Sequence, residues 1–116
     1  MEECFFCKII NKEVPAEIVY QDNDVFAFKD IHPLAPVHIL IIPKKHIARI
    51  SDIKDGDQVL MGKIILTAKK IADSLNISKS GYKLLFRVGC HGGQEVEHIH
   101  LHLIGGSSLS EYIHPV

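Results

Sequence analysis

The apolar positions of this chain change rhythm along its length. They come in short runs from Glu17 to Ile42, recur every three or four residues between Asp55 and Leu75, and return to short runs after Gly81. Short runs bounded by turn residues predict strands, and the three-to-four step predicts a helix with one apolar stripe. The strand-like segments are Glu17 to Tyr20, Asp24 to Phe28 (anchored by Val25 and Phe28), Val37 to Ile42 between Pro36 and Pro43, Tyr82 to Val88, and His98 to Ile104. The helical stripe is Leu60, Ile64, Ala68, Ile71 and Leu75, with Lys63, Lys69, Lys70 and Asp73 mostly on the other side. Ser51 or Asp52 is placed to cap its start and Asn76 to end it. Near the amino terminus Phe6, Ile9 and Ile10 make a short apolar face, which Pro15 limits. This order predicts an α+β domain: an antiparallel five-stranded sheet, one long helix packed on a face of it, and a short N-terminal helix.

A chain of 116 residues fits a single domain, here residues 1–116. Its net charge of −1 supplies no broad basic surface, so neither nucleic acid nor an anionic membrane is expected as the main partner. The longest apolar stretch, Val37 to Pro43, is too short to span a bilayer. Met1 to Lys8 lacks a basic region followed by a long apolar one, so a cytoplasmic location is expected. Three cysteines is an odd number, and Cys4 and Cys7 have the spacing of a metal or redox pair rather than of a disulfide framework.

The strongest local signal is His98-Ile99-His100-Leu101-His102-Leu103-Ile104. On a strand, alternation puts the three imidazoles on one face, about 6.5–7 Å apart, and the apolar residues on the other. Packing alone gives no reason for such a row. Two chemical readings compete: the histidines bind a transition metal, or one is a nucleophile oriented by its neighbours. The preceding Gly92-Gly93-Gln94-Glu95-Val96 favours the second, since glycines let backbone N–H groups approach an anion.

These segments resemble the histidine triad (HIT) superfamily of nucleotide hydrolases and transferases. The resemblance rests on the histidine row, on the glycine–glutamine loop, and on Cys4-Phe5-Phe6-Cys7-Lys8-Ile9-Ile10, Val14-Pro15-Ala16, Ala27-Phe28-Lys29-Asp30-Ile31 and the run from Ala35 to His46. It extends from Cys4 to Gly106, and Gly105-Gly106 is closer to the Hint branch than to the Fhit branch. The resemblance implies that His100 attacks the α-phosphorus of a purine nucleotide and forms a covalent nucleotidyl-histidine. It implies that His102 donates a hydrogen bond to a phosphate oxygen or the leaving group, and that His38 orders the cluster. Gln94, Glu95 and Val96 would then line the phosphate site, Asp30 would hold the ribose, and Phe6, Ile9, Phe28 and Ile31 would form the slot for the base. Ordinary core packing for Ile9 and Phe28, and a turn role for Asp30, stay open beside these roles.

The resemblance to bacterial, zinc-containing members implies a structural Zn²⁺ held by Cys4, Cys7, His46 and His98. That leaves His100 and His102 for chemistry. It also implies a homodimer with the helix and a strand at its interface. Arg87 stands where close Hint relatives commonly carry asparagine: it either adds positive charge to the site or is a surface arginine on a strand. Glu95 replaces a serine or threonine found in many relatives and either turns away or offers mainly its backbone N–H. The tail from Ser107 to Val116 lacks the arginine and tryptophan of several Hint proteins, so leaving-group preference is open; His32, His91 and His114 have no evident role. A purine nucleoside phosphoramidase is the activity this implies. A dinucleoside polyphosphate hydrolase and a nucleotide-binding regulatory module are the alternatives.

Overall fold

The computed structural model describes residues 4–110. Helix α1 (Phe5–Ile10) is followed by strands β1 (Ile18–Gln21), β2 (Val25–Lys29) and β3 (Val37–Pro43), then helix α2 (Gln58–Ser74) and strands β4 (Tyr82–Phe86) and β5 (Leu101–Gly105). The five strands form one sheet in the order β1-β2-β3-β5-β4, and every pairing is antiparallel. Strand β3 is central because both of its neighbours bury it, and six of its seven residues are buried. That is why Val37 to Ile42 is apolar at every position except His38 rather than alternating with polar residues.

Each face of the sheet carries its own core. On one side Val25, Ala27, Ile39, Ile41, Leu101 and Leu103 pack against Ile64, Ala68 and Ile71 of α2. On the other, Phe26, Phe28, Leu40 and Ile42 pack against Phe6 and Ile9 of α1. The expected α+β architecture is observed, and the short helix, not only the long one, closes a face.

Several boundaries differ from expectation. Ser51 and Asp52 do not cap the long helix; they lie in a separate 3₁₀ turn, Ile50–Asp52. A second 3₁₀ turn, Asp55–Asp57, leads into α2, where the Asp57 carboxylate accepts from the Lys54 N–H at 3.0 Å and from Lys45 Nζ at 2.7 Å. Leu75 leaves the buried stripe because the helix ends at Ser74, while Thr67 and Ala72 join it. Asn76, at φ 60°, takes the left-handed position beyond the helix end that asparagine tolerates. Strand β5 begins at Leu101, not at His98: the chain bends first, with the His98 N–H bonded to the Val96 carbonyl at 2.8 Å and the Ile99 N–H to that of Ile47 at 2.8 Å. Strand β4 stops at Phe86, so Arg87 stands just beyond the sheet. Among the described residues no helix is long and apolar enough to cross a membrane. His114 and the tail from residue 111 lie outside the described residues.

Candidate active site

The register of β3 against β5 sets the imidazole cluster. Leu40 lies opposite His102 and His38 opposite Ile104, so His38 and His102 are diagonal neighbours on the α1 face. Their rings are 5.2 Å apart, and His100, one step before β5, brings its ring to 5.0 Å from His102. All three are buried.

The backbone fixes the tautomers. The Leu34 N–H donates to His38 Nδ1 at 3.0 Å, so neutral His38 carries its proton on Nε2. That Nε2–H donates to His102 Nδ1 at 2.9 Å, which places the His102 proton on Nε2. His102 Nε2 is then a donor without a partner, the single buried side-chain nitrogen or oxygen of that kind among the described residues. Such a buried unpaired group is costly unless an acceptor reaches it, and the cavity that His102 lines can admit one. His100 Nδ1 donates to the His98 carbonyl at 2.8 Å, leaving a bare lone pair on its Nε2. Burial lowers the affinity of His100 and His38 for a proton, and it takes His102 down to about 3 with the help of the neighbouring imidazoles and Arg87. The cluster is therefore neutral at pH 7, as a nucleophilic imidazole must be.

Two adjoining cavities meet at this cluster. One, of about 290 Å³, is the apolar slot: Phe6, Ile9, Phe28, Ile31 and Val96 line it. Phe6 stands edge-on to His100 at 5.0 Å, and Ile31 is 75% exposed at the slot's rim. The other, of about 590 Å³, is polar and is lined by His38, Leu34, Arg87 and Gly93. Asp30, His32, Glu95, His100 and His102 border both. Asp30 accepts from the His32 N–H at 2.8 Å with one oxygen and lies 3.4 Å from His38 Nε2 with the other.

Of the residues expected to act on or bind the nucleotide, Gln94 alone lines neither cavity. Its amide accepts from the Gly89 N–H at 2.9 Å and donates to the carbonyls of Ala48 at 2.7 Å and Val96 at 2.9 Å. It clamps the glycine loop instead. Glu95 does not turn away; its side chain is exposed at the junction of the cavities. Within the described residues the N–H groups of Glu95 and Val96 make no hydrogen bond, so both are available to an anion. Sequence reasoning missed His32, whose proline-bounded loop gave no sign of its position, and the backbone groups of Leu34 and Pro43, which carry no sequence signature.

His98 faces away from the cavities. Its Nε2–H donates to the Pro43 carbonyl at 2.8 Å, which turns the bare Nδ1 toward Cys4 Sγ at 3.3 Å and Cys7 Sγ at 3.7 Å. His46 Nδ1 completes the group, 3.2 Å from His98 Nδ1 and 3.4 Å from Cys7 Sγ. A tetrahedral zinc with bonds of about 2.3 Å to sulfur and 2.0 Å to nitrogen has ligand–ligand edges of about 3.3–3.8 Å. These four residues could hold such an ion, and their donor atoms all lie within 4.8 Å of one another. Burial and the adjacent Cys4 push the Cys7 thiol up to about 11; a cation would reverse that shift.

A five-stranded sheet whose central strands carry an imidazole cluster at the mouth of a two-part cleft is the arrangement of the histidine triad fold. The HIT domain profile matches residues 11–109, and the chain belongs to the HIT family. It is 49% identical over 108 residues to the purine nucleoside phosphoramidase of Escherichia coli (strain K12), covering 93% of this chain and 91% of that protein. The crystal structure of a HIT family hydrolase from Legionella pneumophila Philadelphia 1 superposes with a TM-score of 0.92 at 51% identity, covering 94% of this chain and 97% of that one. A histidine triad protein from Clostridium difficile gives a TM-score of 0.93 at 40% identity over 97% of each chain.

Proposed function

We propose that this protein hydrolyses purine nucleoside phosphoramidates through a covalent nucleotidyl-histidine on His100. The observation that carries the reading is the pair of neighbouring neutral imidazoles in opposite tautomers: His100 offers a lone pair from Nε2, and His102 offers an unpartnered Nε2–H. The similarity to a purine nucleoside phosphoramidase supports the P–N bond as the target.

The base lies in the slot of Phe6, Ile9, Phe28 and Ile31, the ribose hydroxyls bond Asp30, and the α-phosphate rests on the N–H groups of Glu95 and Val96. His100 Nε2 attacks phosphorus; the N–P bond to the ring forms as the bond to the leaving nitrogen breaks, and that nitrogen takes a proton from solvent and departs with the bonding pair as an amine. The His98 carbonyl stabilises the charge that grows on the ring by holding Nδ1–H. His102 Nε2–H bonds a phosphoryl oxygen as its charge develops. Water then attacks the same phosphorus, loses a proton to solvent, and releases the nucleoside monophosphate and a free His100.

The metal held by Cys4, Cys7, His46 and His98 is read as zinc. When bound, it would close a four-ligand structural site that ties α1 to the strand ends and takes no part in the chemistry. The protein is read as a single cytoplasmic domain acting as a homodimer. Val59, 72% exposed, and Leu66, 56% exposed, lie with Gly62 on one stripe of α2, and the edge strand β4 exposes Leu84. Such an apolar patch beside an open sheet edge suits a second copy.

Hydrolysis of a fluorogenic adenosine phosphoramidate by the wild type and by His100→Ala tests the reading. Turnover lost with the imidazole is the expected result; tight nucleotide binding with no turnover and no adenylylated His100 in the wild type would overturn it.

A further inference from the structure

We propose that Arg87 selects substrates by the charge of the leaving group, favouring nucleotides in which the displaced group carries a phosphate of its own. This deepens the reading of the cleft given above and rests on it.

The register places Arg87. Phe86 pairs with Leu101 in an antiparallel register, so Arg87, which follows Phe86, comes beside His100, which precedes Leu101, at the end of the sheet. Arg87 lines the polar cavity and not the apolar slot, whereas His100 borders both. With the base in the slot and the α-phosphorus at His100, the atoms beyond that phosphorus enter the cavity of Arg87. Among the residues lining that cavity alone, which are Leu34, His38, Arg87 and Gly93, Arg87 supplies the one full charge.

The guanidinium is held in place but unpaired. A Cβ on Gly93, at φ 79°, would come within 3.2 Å of Arg87 Nη1, so the glycine leaves the space in which the guanidinium lies against the loop. Arg49, the other arginine, bonds Glu97 at 3.1 Å, but Arg87 has no hydrogen bond or ion pair among the described residues. A half-buried guanidinium with its planar fork unoccupied matches the two oxygens of a phosphate. A neutral leaving amine would leave that fork unused. The carboxylates of Asp30 and Glu95 at the junction oppose an anionic leaving group, so the attraction of Arg87 has to outweigh them.

The test compares two adenosine 5′-phosphoramidates that differ in one group, the amidate of ethanolamine and that of O-phosphoethanolamine, with wild type, Arg87→Asn and Arg87→Lys. Arg87→Asn should lower kcat/KM for the phosphorylated amidate by about 10- to 100-fold and for the neutral one by less than about threefold, with Arg87→Lys in between. Equal losses on both amidates would overturn the proposal, since Arg87 would then act on the α-phosphate or on the fold; so would no change on either. Affinities for adenosine monophosphate and diphosphate give an arm that needs no turnover. Arg87→Asn should weaken diphosphate binding by about tenfold and leave monophosphate binding nearly unchanged. Turnover of neither amidate by the wild type would sink the phosphoramidase reading while this arm still judged Arg87. Equal shifts for both nucleotides would sink the role of Arg87 even in an active enzyme.

Discussion

His38 Nε2 lies 2.9 Å from His102 Nδ1, and the Leu34 N–H on the far nitrogen of His38 decides which of the two donates. A main-chain amide thus sets, through two rings, the proton that His102 presents to the cavity. Removing His38 should leave His102 free to exchange tautomers. His38→Ala is expected to lower kcat by about 10²-fold, whereas His100→Ala, which removes the proposed nucleophile, should cost about 10⁴-fold or more. Nitrogen NMR gives a second check: the wild type should show Nε2–H on His38 and His102 and Nδ1–H on His100. A protonated Nδ1 on His102 would contradict the relay.

The burial that keeps these rings neutral has two pH consequences with the same sign. Because burial lowers the pKa of His100, its lone pair persists below the ordinary histidine value of about 6.5, and the acid limb of kcat/KM should fall below that pH. Stability follows His102, held down to about 3 in the folded protein. Below about pH 6.5 the unfolded chain takes up a proton that the folded chain refuses, so stability is full above that pH and is lost as the pH falls toward the folded value, by up to about 1.4 kcal/mol per pH unit. Urea midpoints at pH 7.5 and 5 should differ more for the wild type than for His102→Gln. An equal drop in both would assign the acid sensitivity elsewhere.

The apolar stripe of α2 offers a sharper oligomer test than its composition suggests. Val59 and Leu66 sit seven positions apart on one exposed face, with Gly62 between them leaving its Cβ position open. Leu66→Glu puts a charge in the middle of that face. Sedimentation should show a dimer for the wild type and a monomer for the variant at the same micromolar concentration. A wild-type monomer would refute the assembly outright.

What could be read in the sequence, and what could not, divides along side chain and main chain. Alternation from His98 to Leu103 and the pairing of Cys4 with Cys7 are carried by residue identity, and both led to groups that the fold brings together. The strand start at Leu101 could not be read, because the bend before it depends on the distant Ile47 carbonyl. The alternation holds from His100 onward, so His100 and His102 share the cavity, while His98 in the bend before them turns to the Pro43 carbonyl and the cysteines. Gln94 was misplaced for a related reason. Its position beside glycines suggested contact with an anion, but three backbone groups of its own surroundings occupy the amide. The two-sided core was only half legible: the run Val25-Phe26-Ala27-Phe28 is apolar at every position, which fits a strand covered on both faces, but nothing in it shows that the short helix α1 is what covers the second face.

The Cys/His group and the apolar slot share helix α1, so a metal bound by that group would act on substrate affinity more than on rate. Cys4 and Cys7 flank Phe6, which stacks edge-on to both Phe28 at 5.4 Å and His100 at 5.0 Å. A helix of six residues is too short to hold itself in place, so its position depends on its packing and on the tether at its two cysteines. A Cys4→Ser, Cys7→Ser double variant should lose one equivalent of zinc by elemental analysis and unfold at a lower temperature. Phe6 would then be released, while the His38–His102 relay and the His98 carbonyl, held by the sheet and by the Pro43 contact, stay in place. KM for an adenosine phosphoramidate should therefore rise severalfold with kcat changed by less than about threefold, the pattern of lost ground-state binding. A collapse of kcat with KM unchanged would mean that the metal acts on the imidazoles themselves, and zinc retained by the double variant would mean that these cysteines are not its ligands.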